Sequence, residues 1–106
     1  SAPVGVCILD HEMRFTHINN ELAEMNGLPV EAHLGKTVGE LVPNLVAAIQ
    51  PCFDQVLSTG KPVIDQMLEG ETAKAPGVRR AWVETWFPIL DSNGRTEGVG
   101  AVVREV

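Results

Sequence analysis

The chain has 106 residues, 44% of them hydrophobic and 21% charged, which is ordinary globular composition, enough for one core and too apolar for a disordered segment. Eight basic against 14 acidic residues leave a net charge of −6, which argues against a nucleic-acid-binding surface and against adhesion to anionic lipid. No apolar run approaches the roughly 18 residues of a membrane helix. Two cysteines, Cys7 and Cys52, have no metal-ligand spacing between them, and the expectation is a reducing, cytoplasmic setting.

Val4 to Leu9 is a strand-length apolar run stopped by Asp10-His11-Glu12, and an extended pattern resumes from Arg14 to Ile18, so a hairpin is expected. Asn19 or Asn20 caps a short helix through Glu21 to Met25 by accepting from its first free amides, and Gly27 ends it. Pro29 opens another single turn that closes at Gly35, and Thr37 to Leu41 forms a third piece before Pro43. Such broken turns serve either as a plain connection or as the wall of a cavity.

Asn44 to Gly60 is the one substantial helix, with Leu45, Ile49, Cys52, Phe53, Val56 and Leu57 on one stripe. Pro51 inside it removes the bond to the Ala47 carbonyl, a cost of roughly 3 kcal/mol unless a first turn begins there. Gly60 and Pro62 terminate the helix, Val63 to Glu69 forms a third strand, and Gly70 to Arg79 is a polar, flexible connection. Arg80 to Glu105 is the organising hairpin: two long strands of β-branched and aromatic residues around the turn Asp91-Ser92-Asn93-Gly94. Gly98, Gly100 and Ala101 in the second strand imply that something packs close to the backbone. Strand hairpins at both ends with helices between give an α+β fold, an antiparallel sheet carrying its helices on one face. The abrupt apolar start at Ser1 and the end at Glu105-Val106 inside a strand point to a single domain, residues 1–106, cut from a longer chain.

In this order the residues resemble the PAS domain, a sensor module of bacterial signalling proteins. Ile8-Leu9-Asp10 with Arg14-Phe15-Thr16-His17-Ile18-Asn19 is similar to the first PAS hairpin and its capping Asn, and Asn26-Gly27 follows. Glu31 through Gly35-Lys36-Thr37-Val38-Gly39-Glu40-Leu41 resembles the family's glycine-basic-hydrophobic segment. Val56 through Gly60-Lys61-Pro62 is similar to its link from long helix to third strand, and Trp82 through Gly98-Val99 to its last hairpin. The resemblance implies a five-stranded antiparallel sheet of order 2-1-5-4-3, with short helices and one longer helix enclosing a pocket.

The coloured cofactors of the family do not fit these residues. Haem-binding members place a His on the long helix, and Asn44 to Gly60 has none; His11, His17 and His33 read as surface or capping residues. The flavin motif Asn-Cys-Arg is absent, Cys52 reads as a small core residue, and the tyrosines on which a coumaroyl group depends are missing, since the chain has no Tyr. The expected cofactor is therefore none, or a small colourless molecule.

Two registers are open for the strand from Arg80. With Pro88 placed as in the family, Trp82, Glu84 and Trp86 face the helices together with Cys7, Leu9, Val99, Ala101 and Val103, and Val38, Leu41, Ile49, Phe53, Val56 and Met67 complete the wall. A Glu there must be paired, protonated or bound to a ligand donor. In the opposite register Val83, Phe87 and Ile89 form the core and Glu84 lies in solvent. Either way both sheet faces are apolar, so a second copy or a flanking helix outside this stretch is expected to cover the outer one.

The resemblance implies a homodimer formed through that face and through flanking helices and a downstream effector domain in the same chain. The acidic charge and the lack of a long apolar run lead to the expectation of no nucleic-acid or membrane contact by this domain. Glu105-Val106 stands at the family's Asp-Ile-Thr exit motif, where the Glu keeps a carboxylate that Arg79 or Arg80 could pair with. The expected function is sensing a small ligand in the pocket and relaying the change through the last strand. A dimerisation scaffold with a side-chain-filled core is the alternative, and no catalytic pair is evident in the sequence, so an enzyme is not expected.

Overall fold

The computed structural model describes residues 3–106, so the apolar start at Ser1 lies outside it. The elements are β1 (Gly5–Leu9), β2 (Phe15–Ile18), α1 (Asn20–Asn26), α2 (Val30–His33), α3 (Val38–Leu41), α4 (Val46–Thr59), β3 (Val63–Gly70), β4 (Arg80–Leu90) and β5 (Thr96–Glu105). All strand pairs are antiparallel, in one sheet of order β2-β1-β5-β4-β3.

The terminal hairpin forms as its turn residues dictate. Asp91 Oδ1 accepts from the Asn93 and Arg95 amides at 2.8 and 3.0 Å, and Gly94 takes φ 78° at the position where a side chain would be strained. The small residues of β5 also find their reason. A Cβ on Gly98 would stand 2.6 Å from the Leu9 carbonyl oxygen, and one on Gly100 would meet the Phe87 ring at 2.5 Å. Phe87 lies across its bare cross-strand partner on the outer face.

Three short helical pieces wall the inner face, each fixed by polar contacts rather than by a long apolar stripe. Asn19 Oδ1 accepts from Leu22 N, capping α1, and from Val6 N, while Asn19 Nδ2 donates to the Val4 carbonyl, so one side chain sews the helix to β1. Gly27 closes α1 at φ 82°, and the Lys74 backbone occupies the space a side chain would need. Thr37 and Glu40 form a reciprocal capping box on α3. Residues 35–38 bond along β2 through Gly35 N to Phe15 O, Phe15 N to Lys36 O and Val38 N to Met13 O, which covers that sheet edge. These pieces are therefore more than a connection.

α4 begins at Val46, later than Asn44, and runs through the exposed Pro51 to Thr59, burying Ile49, Cys52, Phe53 and Val56 against the sheet. The segment after β3, expected to be flexible, is pinned: Thr72 is buried, and its hydroxyl donates to the Met25 carbonyl at 2.7 Å. In the core, Leu9, Val56 and Val99 are fully enclosed and Trp82 and Trp86 nearly so; each tryptophan removes roughly 150–250 Å² from water.

Because the contact at Gly98 is with backbone, Gly98→Ala is expected to destabilise the domain by about 1–3 kcal/mol, as forced overpacking does. Urea unfolding followed by tryptophan fluorescence checks this, and an unchanged midpoint would show that β1 and β5 are not held at this spacing.

Candidate functional site

The pairing of β4 with β5 decides which side chains meet the helices. Trp82, Glu84 and Trp86 lie opposite Glu105, Val103 and Ala101, and all three point inward, while Val83, Thr85, Phe87 and Ile89 lie on the outer face. Between this inner face and the helices lies a cavity of about 40 Å³. Cys7 and Leu9 of β1, Phe15 of β2, Leu22 and Asn26 of α1, and Val38 of α3 line it, with Val42 and Leu45 from the link to α4. Ile49 of α4, Trp82, Glu84 and Trp86 of β4, and Ala101 and Val103 of β5 complete the wall. The space equals about three water-sized volumes of roughly 10–15 Å³ each.

Asn26 and Glu84 are the charged or amide side chains on this apolar wall. Asn26 Nδ2 donates to His33 Nε2 at 3.1 Å, and His33 Nδ1 sits 2.9 Å from the Pro29 carbonyl. A carbonyl only accepts, so Nδ1 carries the proton and Nε2 is the acceptor. His33 is 0% exposed and meets the Phe15 ring edge-on at 5.2 Å between centroids. It is thus a buried, fully bonded strut, where a surface or capping residue was expected; the hydrogen bonds that permit its burial come from Asn26 and the α2 turn.

Glu84 is only 5% exposed and has no ion-pair partner among the described residues. Burial pushes its carboxyl up from 4.5 to about 7, and the Trp86 indole N–H facing it offsets this only in part. That N–H does not close a well-formed hydrogen bond, so Glu84 Oε1 and Trp86 Nε1 are both buried without a partner among the described residues. Nearby, burial and then the Glu84 charge push the Cys7 thiol up to about 12 and raise that of Cys52. Both thiols therefore stay protonated near neutrality and are poor nucleophiles. Among the described residues no group of three or more His, Cys, Asp or Glu side chains converges as a metal site.

Of the residues expected to form the wall, Val38, Ile49, Glu84, Trp86 and Ala101 line the cavity. Phe53 and Val56 are buried in the core away from it, and Leu41 borders a separate surface groove with Pro43 and Thr72. Met67 requires a correction: it is 61% exposed on the outer face, paired with Val83, and Leu68 opposite Trp82 faces inward instead. The cause is a bulge. Between Val63, opposite Trp86, and Gln66, opposite Glu84, β3 carries one extra residue, with Asp65 at φ 52°, and this inverts the alternation that would have pointed Met67 inward. Phe15, Leu22, Asn26, Val42 and Leu45 also line the cavity, a place the sequence did not assign to them. Asn26, an amide in the last helical turn just before the closing glycine, was the one signal available.

At the far end of the sheet, Arg80 Nε and Nη2 donate to both oxygens of Glu105 at 3.0 and 2.8 Å, and Nη1 donates to the Met25 carbonyl and the Thr72 hydroxyl. The guanidinium also stacks on Trp82 at 4.9 Å and holds the Glu105 carboxyl below its usual range. One cation thereby ties α1, the β3–β4 segment and the last strand together.

A family model described as the PAS fold matches residues 1–106. This chain belongs to the PAS fold family. Among curated proteins no relative matches. Among solved PAS-like structures, VqmA bound to DPO is 24% identical with TM-score 0.83, over 98% of this chain and 52% of its own; VqmA has also been solved from Vibrio cholerae. A sensory box sensor histidine kinase from Vibrio cholerae is 18% identical with TM-score 0.77, covering 98% of this PAS chain and 82% of the kinase chain. The PAS-B domain of Drosophila melanogaster Cycle with bound ethylene glycol is 13% identical with TM-score 0.73, over 96% and 99% of the two chains. This PAS chain spans about half the length of the VqmA chain.

The buried carboxyl makes stability pH-dependent in a defined direction. The unfolded chain ionises Glu84 near pH 4.5 while the folded one keeps its proton to about pH 7. Stability is therefore highest below pH 4.5 as far as this group is concerned and falls by up to about 3 kcal/mol as pH rises to 7. Glu40 and Glu105, whose carboxyls are lowered by Thr37 and Arg80 respectively, act in the opposite sense, and only as pH drops below 4.5. Glu84→Gln is expected to flatten the fall. Parallel stability curves for the two proteins across pH 4.5–7 would show that Glu84 ionises freely.

Proposed function

We propose that this PAS domain is the sensing module of a signalling protein and holds a small colourless molecule in the cavity between sheet and helices. The observation that carries the reading is a pair of buried polar atoms without partners among the described residues, Glu84 Oε1 and Trp86 Nε1, in two side chains that line that cavity. A core built only for stability gains nothing from them, since each costs about 1–3 kcal/mol when left dry. VqmA solved bound to DPO and Cycle PAS-B solved with bound ethylene glycol support the reading that a protein of this fold takes a small molecule. Haem and flavin do not fit: about 40 Å³ is far too small for either, α4 offers no His, and both ring nitrogens of His33 are engaged.

Relay follows the same contacts. Asn26 lines the cavity, the adjacent Met25 carbonyl bonds Arg80, and Arg80 holds Glu105 at the end of β5. A ligand that shifts α1 is felt at Glu105. The outer face, where Val6, Val102 and Met67 are 38%, 38% and 61% exposed, is read as the surface that pairs with a second copy. VqmA of Vibrio cholerae has been solved as a dimer. With a net charge of −6, this domain is read as making no nucleic-acid contact and leaving output to an effector elsewhere in a longer cytoplasmic chain. The role is read as non-catalytic: the thiols are protonated, and Glu84 has no acid/base partner among the described residues.

Native mass spectrometry of freshly purified protein is expected to show a dimer carrying a retained small mass, and Val102→Glu is expected to weaken the dimer at least about tenfold by placing a charge in the apolar face. A bare protein whose melting temperature no metabolite raises would leave the constitutive scaffold as the correct reading.

A further inference from the structure

This inference rests on reading the cavity as a ligand site and concerns what the ligand must carry. Glu84 and Trp86 stand two positions apart on one face of β4, so both side chains line the same small cavity, with Oε1 and Nε1 buried behind its surface and without partners among the described residues. Their needs differ. An indole N–H can only donate, so only an acceptor satisfies it, whereas Glu84, once ionised above about pH 7, only accepts and is satisfied by a donor. The third polar group, Asn26, already spends an amide N–H on His33. The surrounding wall, including Leu22, Val38 and Ala101, is apolar.

We propose that the cavity takes a small neutral molecule that presents a hydrogen-bond acceptor to Trp86 Nε1 and an N–H or O–H donor to Glu84 Oε1 on an otherwise apolar frame, as a simple amide or hydroxy-carbonyl compound does. The other small-molecule classes each leave a defect. A carboxylate satisfies the indole but presses its charge against Glu84. An alkylammonium pairs with Glu84 but has no acceptor, so the indole N–H stays dry. A ketone satisfies the indole and leaves Glu84 Oε1 without a donor. An unmet buried polar atom costs enough to lower affinity about tenfold or more. With about 40 Å³ available, the frame is limited to a few non-hydrogen atoms unless the helices above it move.

The isosteric probes acetamide, acetone and acetate separate these classes. Each is titrated, at a pH above about 7 so that Glu84 is ionised, into ligand-free, isotope-labelled protein while the Trp86 indole N–H and the Ala101 amide resonances are followed, with Trp86→Phe identifying the indole signal. Acetamide is expected to shift both signals and to bind at least about tenfold more tightly than acetone or acetate. Glu84→Leu is expected to reduce acetamide to the level of acetone, while Glu84→Gln, which keeps an acceptor, retains its binding. The probe comparison uses the unaltered chain, so it stands even if a variant fails to fold. Equal or tighter binding of acetone or acetate overturns the ligand class while leaving a ligand site in place. No movement of either resonance by any probe overturns both the class and the sensing site. A natural compound retained through purification meets the same criterion, and one lacking either the donor or the acceptor overturns the class.

Discussion

The pairing of β4 with β5 is the constraint from which the rest of the molecule follows. A strand shows its two faces with a period of two, so a slip of one residue would send every inward side chain outward. Here the register is held from both ends. At one end the Asp91–Arg95 turn sets the hairpin, with Asp91 N bonded to Arg95 O at 2.8 Å. At the other, the bidentate Arg80–Glu105 pair locks the strands where they diverge from the turn. Between them large faces small: Trp86 lies opposite Ala101 on the inner side, and Phe87 opposite Gly100 on the outer. A slipped register would lose that complementarity and exchange the buried area of two tryptophans for that of valine and threonine.

With the register set, the helical layer has to cover a curved inner face with pieces of four to seven residues before the fourteen-residue α4 begins. Helices this short are not stable by themselves. Asn19, Thr37, Glu40 and the Asn26–His33–Pro29 chain hold them in place, and each of these contacts satisfies backbone or buried polar groups that would otherwise be orphaned. Short elements fixed by such point contacts do not close over the sheet as one long helix would. The space between their ends and β4 is the cavity, and Glu84 and Trp86, whose buried Oε1 and Nε1 lack partners among the described residues, line it.

The terminal hairpin, the closing glycines and the long helix were all legible in the sequence, because each depends on local periodicity or turn chemistry, whereas the order of strands in the sheet followed only from the resemblance to the PAS family. The register of β4 was not, since Trp82, Glu84 and Trp86 alternate with residues almost as apolar and only the small residues of β5 discriminate between the two faces. Met67 was placed on the wrong face because the bulge at Asp65 carries no glycine; Asp tolerates the left-handed conformation and leaves no obvious mark. His33 and Thr72 look like ordinary polar residues until the elements are assembled. Their partners are respectively seven and 47 positions away in the chain, and pairing at a distance has no local signature.

The cost of Glu84 and the position of Arg80 belong to one physical problem. A domain that keeps a carboxyl dry forgoes up to about 3 kcal/mol near neutral pH, and a bound molecule that satisfies the group returns part of it, so occupancy and stability are linked by mass action. Such linkage becomes a signal only if the occupied and empty forms differ somewhere that another part of the protein can sense. In the proposed sensing role that place is α1, whose last residues face both ways. Asn26 stands on the cavity wall, and the Met25 carbonyl one residue earlier bonds Arg80, which also holds Glu105. Movement of Asn26 by a fraction of an ångström would lengthen the Met25–Arg80 bond, now 3.1 Å, and the guanidinium could compensate only by loosening its hold on Thr72 or Glu105. A rigid planar donor with four of its five N–H groups committed in a fixed fork is suited to that exchange, because a shift toward one partner draws it away from the others.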